Sequence, residues 1–138
     1  SSGLRIMSAR GGRLGSGLYF SDQACKSGYY ASPSSDGSAI LFLAEVASGK
    51  SFPLTNDSRM AQGFTTPPEG HDSVHARGKS TPHFSGDKEL TLTEGHTVKL
   101  STGIPVDNVA DSSFCQDEIV VYDERQVALR FVVRIRVH

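Results

Sequence analysis

Histidine and cysteine are the residue types that most often serve as metal ligands or nucleophiles, and their spacing in this chain matches neither role. His71 and His75 lie four residues apart, but the intervening residues and nearby prolines do not favour a helix that would turn both toward one metal. Cys25 and Cys115 are far apart and too few for a four-ligand zinc site. No local arrangement pairs Cys115 with a histidine. We therefore expect no metal site and no cysteine nucleophile.

A cluster of glycines at positions 11, 12, 15 and 17 could be mistaken for a nucleotide-binding motif. The dinucleotide fingerprint G-x-G-x-x-G is not met, because Arg10 stands at its first position and no apolar strand precedes it. A P-loop is not met either, because no Gly-Lys-Ser/Thr follows at the required spacing. The cluster predicts a mobile or tightly turned loop.

The size and charge of the chain limit its class. Its 138 residues are enough for one domain, and 37% of them are hydrophobic. Lys and Arg total 14 against 15 Asp and Glu, so the net charge of -1 gives no support for phosphate binding along a nucleic acid. No apolar run approaches the roughly 20 residues that span a bilayer. We expect a soluble, intracellular domain without direct nucleic-acid or membrane contact.

The first half of the chain contains three predicted elements. Residues 17–20 are a short apolar strand, and a short helix runs from Asp22 to about Tyr30, before Pro33 and Gly37. Residues 39–47 form an apolar run bounded by turn residues, which indicates a buried strand.

The second half is predicted to be mostly β. Residues 49–87 carry four prolines and many glycines and serines, so we predict a long irregular connection there. Weaker strands follow at 90–92 and 97–100. Two clearer strands, 118–122 and 126–137, are joined by a short turn and should pair antiparallel. The fold class is therefore α+β, mainly antiparallel, with one or two short helices.

Four short segments, in the same order along the chain, are similar to signature motifs of the poly(ADP-ribose) polymerase family. They are GLRI at 3–6, GSGLYFSD at 15–22 with KS at 26–27 and Tyr30 after it, GHDSV at 70–74 with GKSTP at 78–82 after it, and DEIVVY at 117–122. Together they cover almost the whole chain. Each match is weak by itself, and the four in order are a strong signal.

The resemblance implies the ADP-ribosyltransferase fold, with residues 1–138 forming the C-terminal part of one catalytic domain. In this family a His-Gly pair lies before the segment that GLRI resembles, and no such pair precedes Leu4 here. We therefore expect the N-terminal strand or strands of the domain to lie on a preceding segment or a companion chain that completes it.

The activity implied by the resemblance is NAD-dependent transfer of ADP-ribose to protein acceptors or to a growing ADP-ribose chain, with release of nicotinamide. NAD is then the donor substrate, and no metal takes part. Glu118 falls on the family's catalytic glutamate, and Lys26 on a lysine that helps to orient it. Cleavage of the nicotinamide–ribose bond passes through an oxocarbenium-like state, as in glycoside hydrolysis, which a nearby carboxylate stabilises.

The resemblance also assigns five residues to NAD binding. Tyr19 and Tyr30 would contact the flat nicotinamide ring, and the Ser27 hydroxyl would bind its carboxamide. Arg5 lies where the family places an arginine near the adenosine and pyrophosphate, which suits a guanidinium. Phe20 belongs to the same binding motif as Tyr19.

Two further residues lie near these motifs. Tyr29 matches no functional position of the family and is predicted to belong to the core. Arg13 lies in the glycine-rich donor loop and could contact an acceptor, although a solvated loop arginine is the simpler expectation.

The missing His-Gly pair leaves a second interpretation open, a catalytically inactive ADP-ribosyltransferase-like module for binding or structure. In the first interpretation Glu118 favours polymer formation, because members limited to mono-transfer often replace that glutamate. Gln116 lacks the aromatic ring that some polymer-forming members have at this position, so chain elongation stays open. A nuclear location follows from the family alone.

Overall fold

The computed structural model describes residues 4–6 and 11–136, and it confirms the α+β class with mainly antiparallel pairing. The described residues contain ten strands, which are β1 Leu18–Phe20, β2 Ser38–Val46, β3 Ser51–Leu54, β4 Ser73–Ala76, β5 Ser80–Pro82, β6 Lys88–Thr91, β7 Thr97–Leu100, β8 Pro105–Asp107, β9 Glu118–Val121 and β10 Val127–Arg136. Two short helices, α1 Ala24–Tyr29 and α2 Arg59–Gln62, complete the regular elements, together with 3-10 turns at Phe84–Gly86 and Glu124–Gln126. No helix of the described part is long and apolar enough to cross a membrane.

A four-stranded sheet in the order β1-β9-β4-β3 forms the centre of the molecule. Strand β9 pairs antiparallel with β1 on one edge and with β4 on the other, and β3 lies parallel to β4. Glu118, the first residue of β9, lies opposite Ala76. Because both edges of β9 are occupied, the register of the strand that begins with Glu118 is fixed from two sides.

The core packs against this sheet and is built from residues that have no exposed surface. Val74 and Val120 belong to the sheet, Leu14 comes from the glycine-rich loop, and Phe114 lies just before β9. Burying side chains of this size stabilises the fold by roughly 1.5–3 kcal/mol each. The loop that contains Leu14 is therefore anchored in the core.

Strands β2 and β10 form a separate antiparallel ribbon, with a register shift between Leu129 and Phe131. The predicted strand at 39–47 is confirmed as β2, but the prediction that it is buried is wrong. Ile40 and Phe42 are 48% and 54% exposed, whereas Ala39 is 3% exposed. Few of the described residues lie against a two-stranded ribbon. An apolar run can therefore adopt the strand conformation here while several of its side chains stay exposed.

The predicted pairing of the last two strands is also wrong. Strand β9 already uses both of its edges for β1 and β4, so its backbone has no free edge for β10. The 3-10 turn between them is capped at its start by Asp123, whose side chain accepts a hydrogen bond from the Arg125 N–H. Strand β10 then runs along β2 instead, and nine residue pairs join the two strands along one edge.

Residues 49–87 do not form the irregular connection that was predicted. They contain β3, α2, β4 and β5 and the 3-10 turn at Phe84–Gly86. These strands have three or four residues each, which is too short for a clear hydrophobic period, and their partners lie far away in sequence. Tertiary pairing therefore decides their conformation.

Replacing Phe114 by alanine should lower the free energy of unfolding by about 3–5 kcal/mol, because a fully buried ring leaves a cavity. The matched control is Phe84→Ala, since Phe84 is 76% exposed and its removal should change the free energy by less than about 0.5 kcal/mol. Urea unfolding followed by circular dichroism, on protein with its native flanking sequence, measures both. Equal effects of the two substitutions would contradict the core described above.

Candidate active site

All seven residues that the sequence assigned to the site line one open cleft of about 750 Å³. They are Arg5, Tyr19, Phe20, Lys26, Ser27, Tyr30 and Glu118. The rest of the wall comes from Ser21 and from the glycine-rich loop, namely Gly11, Gly12, Arg13 and Gly17. Residues that are as much as 113 positions apart in sequence thus share one cavity.

The pairing of β1 with β9 explains how two of the motifs meet. Phe20 lies opposite Ile119 and Tyr19 opposite Val120, so the end of β1 reaches the beginning of β9. The Ser21 hydroxyl then donates a hydrogen bond to the carbonyl oxygen of Asp117, at 3.0 Å. The turn after β1 is thereby joined to the residue that precedes Glu118.

Glu118 and Lys26 form an ion pair inside the cleft. The Lys26 Nζ lies 2.5 Å from Glu118 Oε1, and the two side chains are only 12% and 9% exposed. The same Nζ lies 3.4 Å from the carbonyl oxygen of Gln116. A charge-assisted hydrogen bond of this kind fixes the orientation of the carboxylate, and the surrounding protein strengthens its electrostatic effect on a nearby ligand.

Helix α1 brings Lys26, Ser27 and Tyr30 to the cleft from one short segment. It begins at Ala24, two residues after the predicted start, and Tyr30 is its C-terminal cap. The Tyr30 ring is 78% exposed, so its surface is open to a flat partner. The prediction that Tyr29 belongs to the core is wrong, because Tyr29 is 89% exposed and contacts the Tyr30 ring edge-on.

Tyr19 has a structural contact that the sequence did not reveal. Its hydroxyl donates a hydrogen bond to the Gly15 carbonyl oxygen at 2.6 Å and accepts one from the Leu14 N–H at 3.0 Å. Burial raises the pKa of Tyr19, so the hydroxyl keeps its proton. A Cβ atom on Gly12 would lie 2.6 Å from this hydroxyl, which explains why glycine stands there. Tyr19 thus supports the loop as well as lining the cleft.

A second polar cluster lies beside the site and was missed by sequence reasoning. Asp117 accepts a hydrogen bond from the Gly78 N–H at 2.7 Å, and its other oxygen lies 2.7 Å from Nε2 of His75. Burial acts to raise the pKa of Asp117, but these two contacts outweigh it and hold the pKa below its usual range. The structural reason is the register of β4, which places His75 opposite Ile119, two residues after Asp117 in sequence.

Asp22 belongs to the same cluster. Burial and the negative charge of Asp117 raise its pKa, and its Oδ1 is buried without a partner among the described residues. Asp22 and Asp117 are therefore shifted in opposite directions, since Asp117 alone accepts hydrogen bonds from both His75 and Gly78.

His71 and His75 make separate contacts. The His71 ring packs edge-on against Phe52 and its Nδ1 lies 2.9 Å from the Glu69 carbonyl oxygen, whereas His75 contacts Asp117. Over residues 4–6 and 11–136, no three His, Cys, Asp or Glu side chains come together as metal ligands.

The α+β fold agrees with the family that the four motifs resemble. A family model described as the poly(ADP-ribose) polymerase catalytic domain matches residues 1–137, and the chain belongs to this family.

The relatives that match this chain include proteins of two names. The chain is 40% identical over 136 residues to the chicken "Protein mono-ADP-ribosyltransferase PARP3". The match covers 97% of this chain and 25% of that protein. The human protein of the same name is 36% identical over 140 residues, covering 98% and 26%. The chicken "Poly [ADP-ribose] polymerase 1" is 34% identical over 142 residues, covering 99% and 13%. The chain thus spans about a quarter or less of the length of these relatives.

Replacing Asp117 by asparagine should make the free energy of unfolding depend less on pH in the acidic range. The folded pKa of Asp117 lies below its ordinary value of 3.8, so its stabilising effect is complete above that pH and is lost as the pH falls through the folded value. The variant should be less stable than the wild type at pH 6, and the difference should shrink toward pH 2. Thermal unfolding at several pH values measures this. Asp111→Asn, at an exposed position, is the control; a difference that stays constant down to pH 2 would contradict the assignment.

Proposed function

We propose that the domain containing this chain transfers ADP-ribose from NAD to protein acceptors and releases nicotinamide. The observation that carries the proposal is the Glu118–Lys26 ion pair, which lies in a cleft lined by all five residues that the resemblance assigns to NAD binding. Membership in a family of poly(ADP-ribose) polymerase catalytic domains supports it.

In this proposal the nicotinamide end of NAD binds between β1 and α1. The rings of Tyr19 and Tyr30 line the cleft there and stack on the nicotinamide, an interaction worth roughly 0.5–1.5 kcal/mol beyond area burial. The Ser27 hydroxyl binds the carboxamide, and Phe20 contributes apolar wall. Arg5, exposed on the rim of the cleft, pairs with the pyrophosphate.

Glu118 acts on the ribose. As the bond between C1′ and the nicotinamide nitrogen breaks, nicotinamide leaves as a neutral molecule and positive charge develops on the ribose. The Glu118 carboxylate accepts a hydrogen bond from the 2′-hydroxyl and stabilises that charge. The acceptor oxygen then forms the new bond to C1′, and if it is a hydroxyl its proton passes to Glu118. Lys26 holds the carboxylate in the orientation that both steps require.

The acceptor is a protein side chain in this proposal, and extension of an ADP-ribose chain is a further step of the same chemistry. The names of the relatives include both a mono-ADP-ribosyltransferase and a poly(ADP-ribose) polymerase. Glu118 favours elongation, while Gln116 two residues earlier supplies no aromatic ring for a bound chain. We further propose a nuclear location and catalysis without a metal, both from the family alone. The competing proposal is a catalytically inactive ADP-ribosyltransferase-like module that serves for binding another partner or for structure.

Replacing Glu118 by glutamine should lower kcat for NAD consumption by about 10²–10³-fold with a much smaller change in KM, because the stabilising charge acts mainly in the transition state. The measurement is nicotinamide release and automodification by the protein with its native flanking sequence. Circular dichroism shows that the variant is folded. A folded wild type that neither binds nor consumes NAD would favour the inactive module, and an unchanged kcat in the variant would remove Glu118 from the mechanism.

Replacing Tyr30 by alanine should weaken the binding of benzamide, a nicotinamide analogue, by about 2- to 13-fold, because a stacking partner is lost. The matched control is Tyr29→Ala, since Tyr29 is equally exposed on the same helix but does not line the cleft. Calorimetric titration gives both dissociation constants. Equal losses in the two variants would mean that Tyr30 has no particular contact with the ring.

A further inference from the structure

The glycine-rich loop at residues 11–17 forms one wall of the cleft, and a side chain from this loop ties it to the core. We propose that Arg13 is a positioning residue, whose bidentate ion pair with Asp57 holds the loop in the conformation that receives NAD. The expected effect on NAD binding rests on the proposed function, whereas the role of the ion pair in holding the loop does not.

Arg13 makes a dense set of contacts for a loop residue. Its Nε and Nη2 donate to the two carboxylate oxygens of Asp57, each at 2.6 Å. Nη2 also donates to the Ser113 carbonyl oxygen at 2.9 Å, and the guanidinium carbon lies 4.1 Å from the centre of the Phe114 ring. The simpler expectation of a solvated loop arginine is therefore wrong.

The groups that Arg13 contacts are themselves held in place. The Asp57 N–H donates to the Ser113 hydroxyl at 2.9 Å, so carboxylate and carbonyl belong to one connected unit. Phe114 has no exposed surface and belongs to the core cluster. Isolated surface ion pairs contribute little to stability, but bidentate geometry combined with a carbonyl acceptor and a ring face gives a specific orientation. A lysine at this position would keep the positive charge, but it could not form the bidentate geometry.

The rest of the loop is attached on its other side. Leu14 is fully buried, and its carbonyl oxygen accepts a hydrogen bond from the Tyr122 hydroxyl at 2.6 Å. The Ser16 N–H donates to the Phe64 carbonyl oxygen at 2.8 Å. Gly15 has a φ of +84°, and a Cβ atom there would lie 2.0 Å from that same carbonyl oxygen. Residues 14–16 are thus held by the core, and Arg13 extends the attachment to the part of the loop that lines the cleft.

Arg13 stands next to Gly11 and Gly12, which line the cleft and have the freedom to adopt many conformations. Gly12 also exchanges two backbone hydrogen bonds with Gly15, and the ion pair adds a second restraint on this segment. Without the ion pair the segment would sample more open conformations, and bound NAD would have to order it. Loss of the pair should therefore weaken NAD binding more than it slows the chemical step, since Glu118 and Lys26 are attached to other elements.

The first measurement is hydrogen exchange of the loop amides in the absence of NAD. In Arg13→Lys and in Asp57→Asn, peptides covering residues 11–17 should exchange roughly tenfold faster than in the wild type, while peptides from β4 and β9 stay unchanged. The control is Arg59→Lys, an exposed arginine outside the cleft, which should match the wild type. Unchanged exchange of the loop in both variants would overturn the proposal, whatever the outcome for NAD.

The second measurement is NAD kinetics of the same variants in protein with its native flanking sequence. Each single variant should raise KM by about 2- to 13-fold, with a smaller change in kcat. The double variant should be no worse than the more affected single variant, because both remove one interaction. If Arg13→Lys raises KM and Asp57→Asn leaves it unchanged, Arg13 contacts NAD directly. This result would overturn the positioning role. A wild type without NAD turnover would refute the proposed function. The hydrogen-exchange measurement would then still test whether the ion pair holds the loop.

Discussion

The pairing of β9 on both of its edges is the constraint on which the site depends. Strand β9 has only four residues, yet it is hydrogen-bonded to β1 on one side and to β4 on the other. Side chains alternate along a strand, so this register decides what each residue of β9 faces. Glu118 and Val120, two residues apart, lie on the same face of the strand, where Val120 is buried in the core and Glu118 reaches the cleft. A shift of one residue would turn this face over and remove the carboxylate from the site.

Electrostatic pairing makes a nearly buried carboxylate compatible with the fold. An isolated charge at the position of Glu118 would be strongly unfavourable, and Lys26 offsets this because α1 carries it into direct contact. Asp117, the preceding residue, is satisfied separately by His75 and the Gly78 N–H. Two adjacent carboxylates thus have different cationic or N–H partners on different elements. This separation keeps the Glu118–Lys26 pair independent of the structural cluster beside it.

Tyrosine hydroxyls and one arginine connect the cleft wall to the core. Tyr19 and Tyr122 each bond to backbone groups of the glycine-rich loop, and Arg13 bonds to Asp57 and Ser113. A loop rich in glycine loses much conformational entropy when it is ordered, so these contacts are needed to define its shape. In this molecule they come from β1, from the end of β9 and from the segments around 57 and 113. The shape of the loop therefore depends on distant parts of the chain as well as on its own glycines, Arg13 and Leu14.

The amino-acid sequence by itself determined the fold class, the strands at 17–20 and 97–100, helix α1 and the family, because short apolar runs and ordered motifs are local properties. It also predicted the seven residues that the structure brings to one cleft, while their individual roles stay proposals. Tertiary structure decided the partners of β9 and β10, the strands inside 49–87, the exposure of Tyr29 and the contacts of Arg13 and His75. These features depend on which distant backbone edges and side chains meet, and strands of three or four residues contain too little local information to specify that.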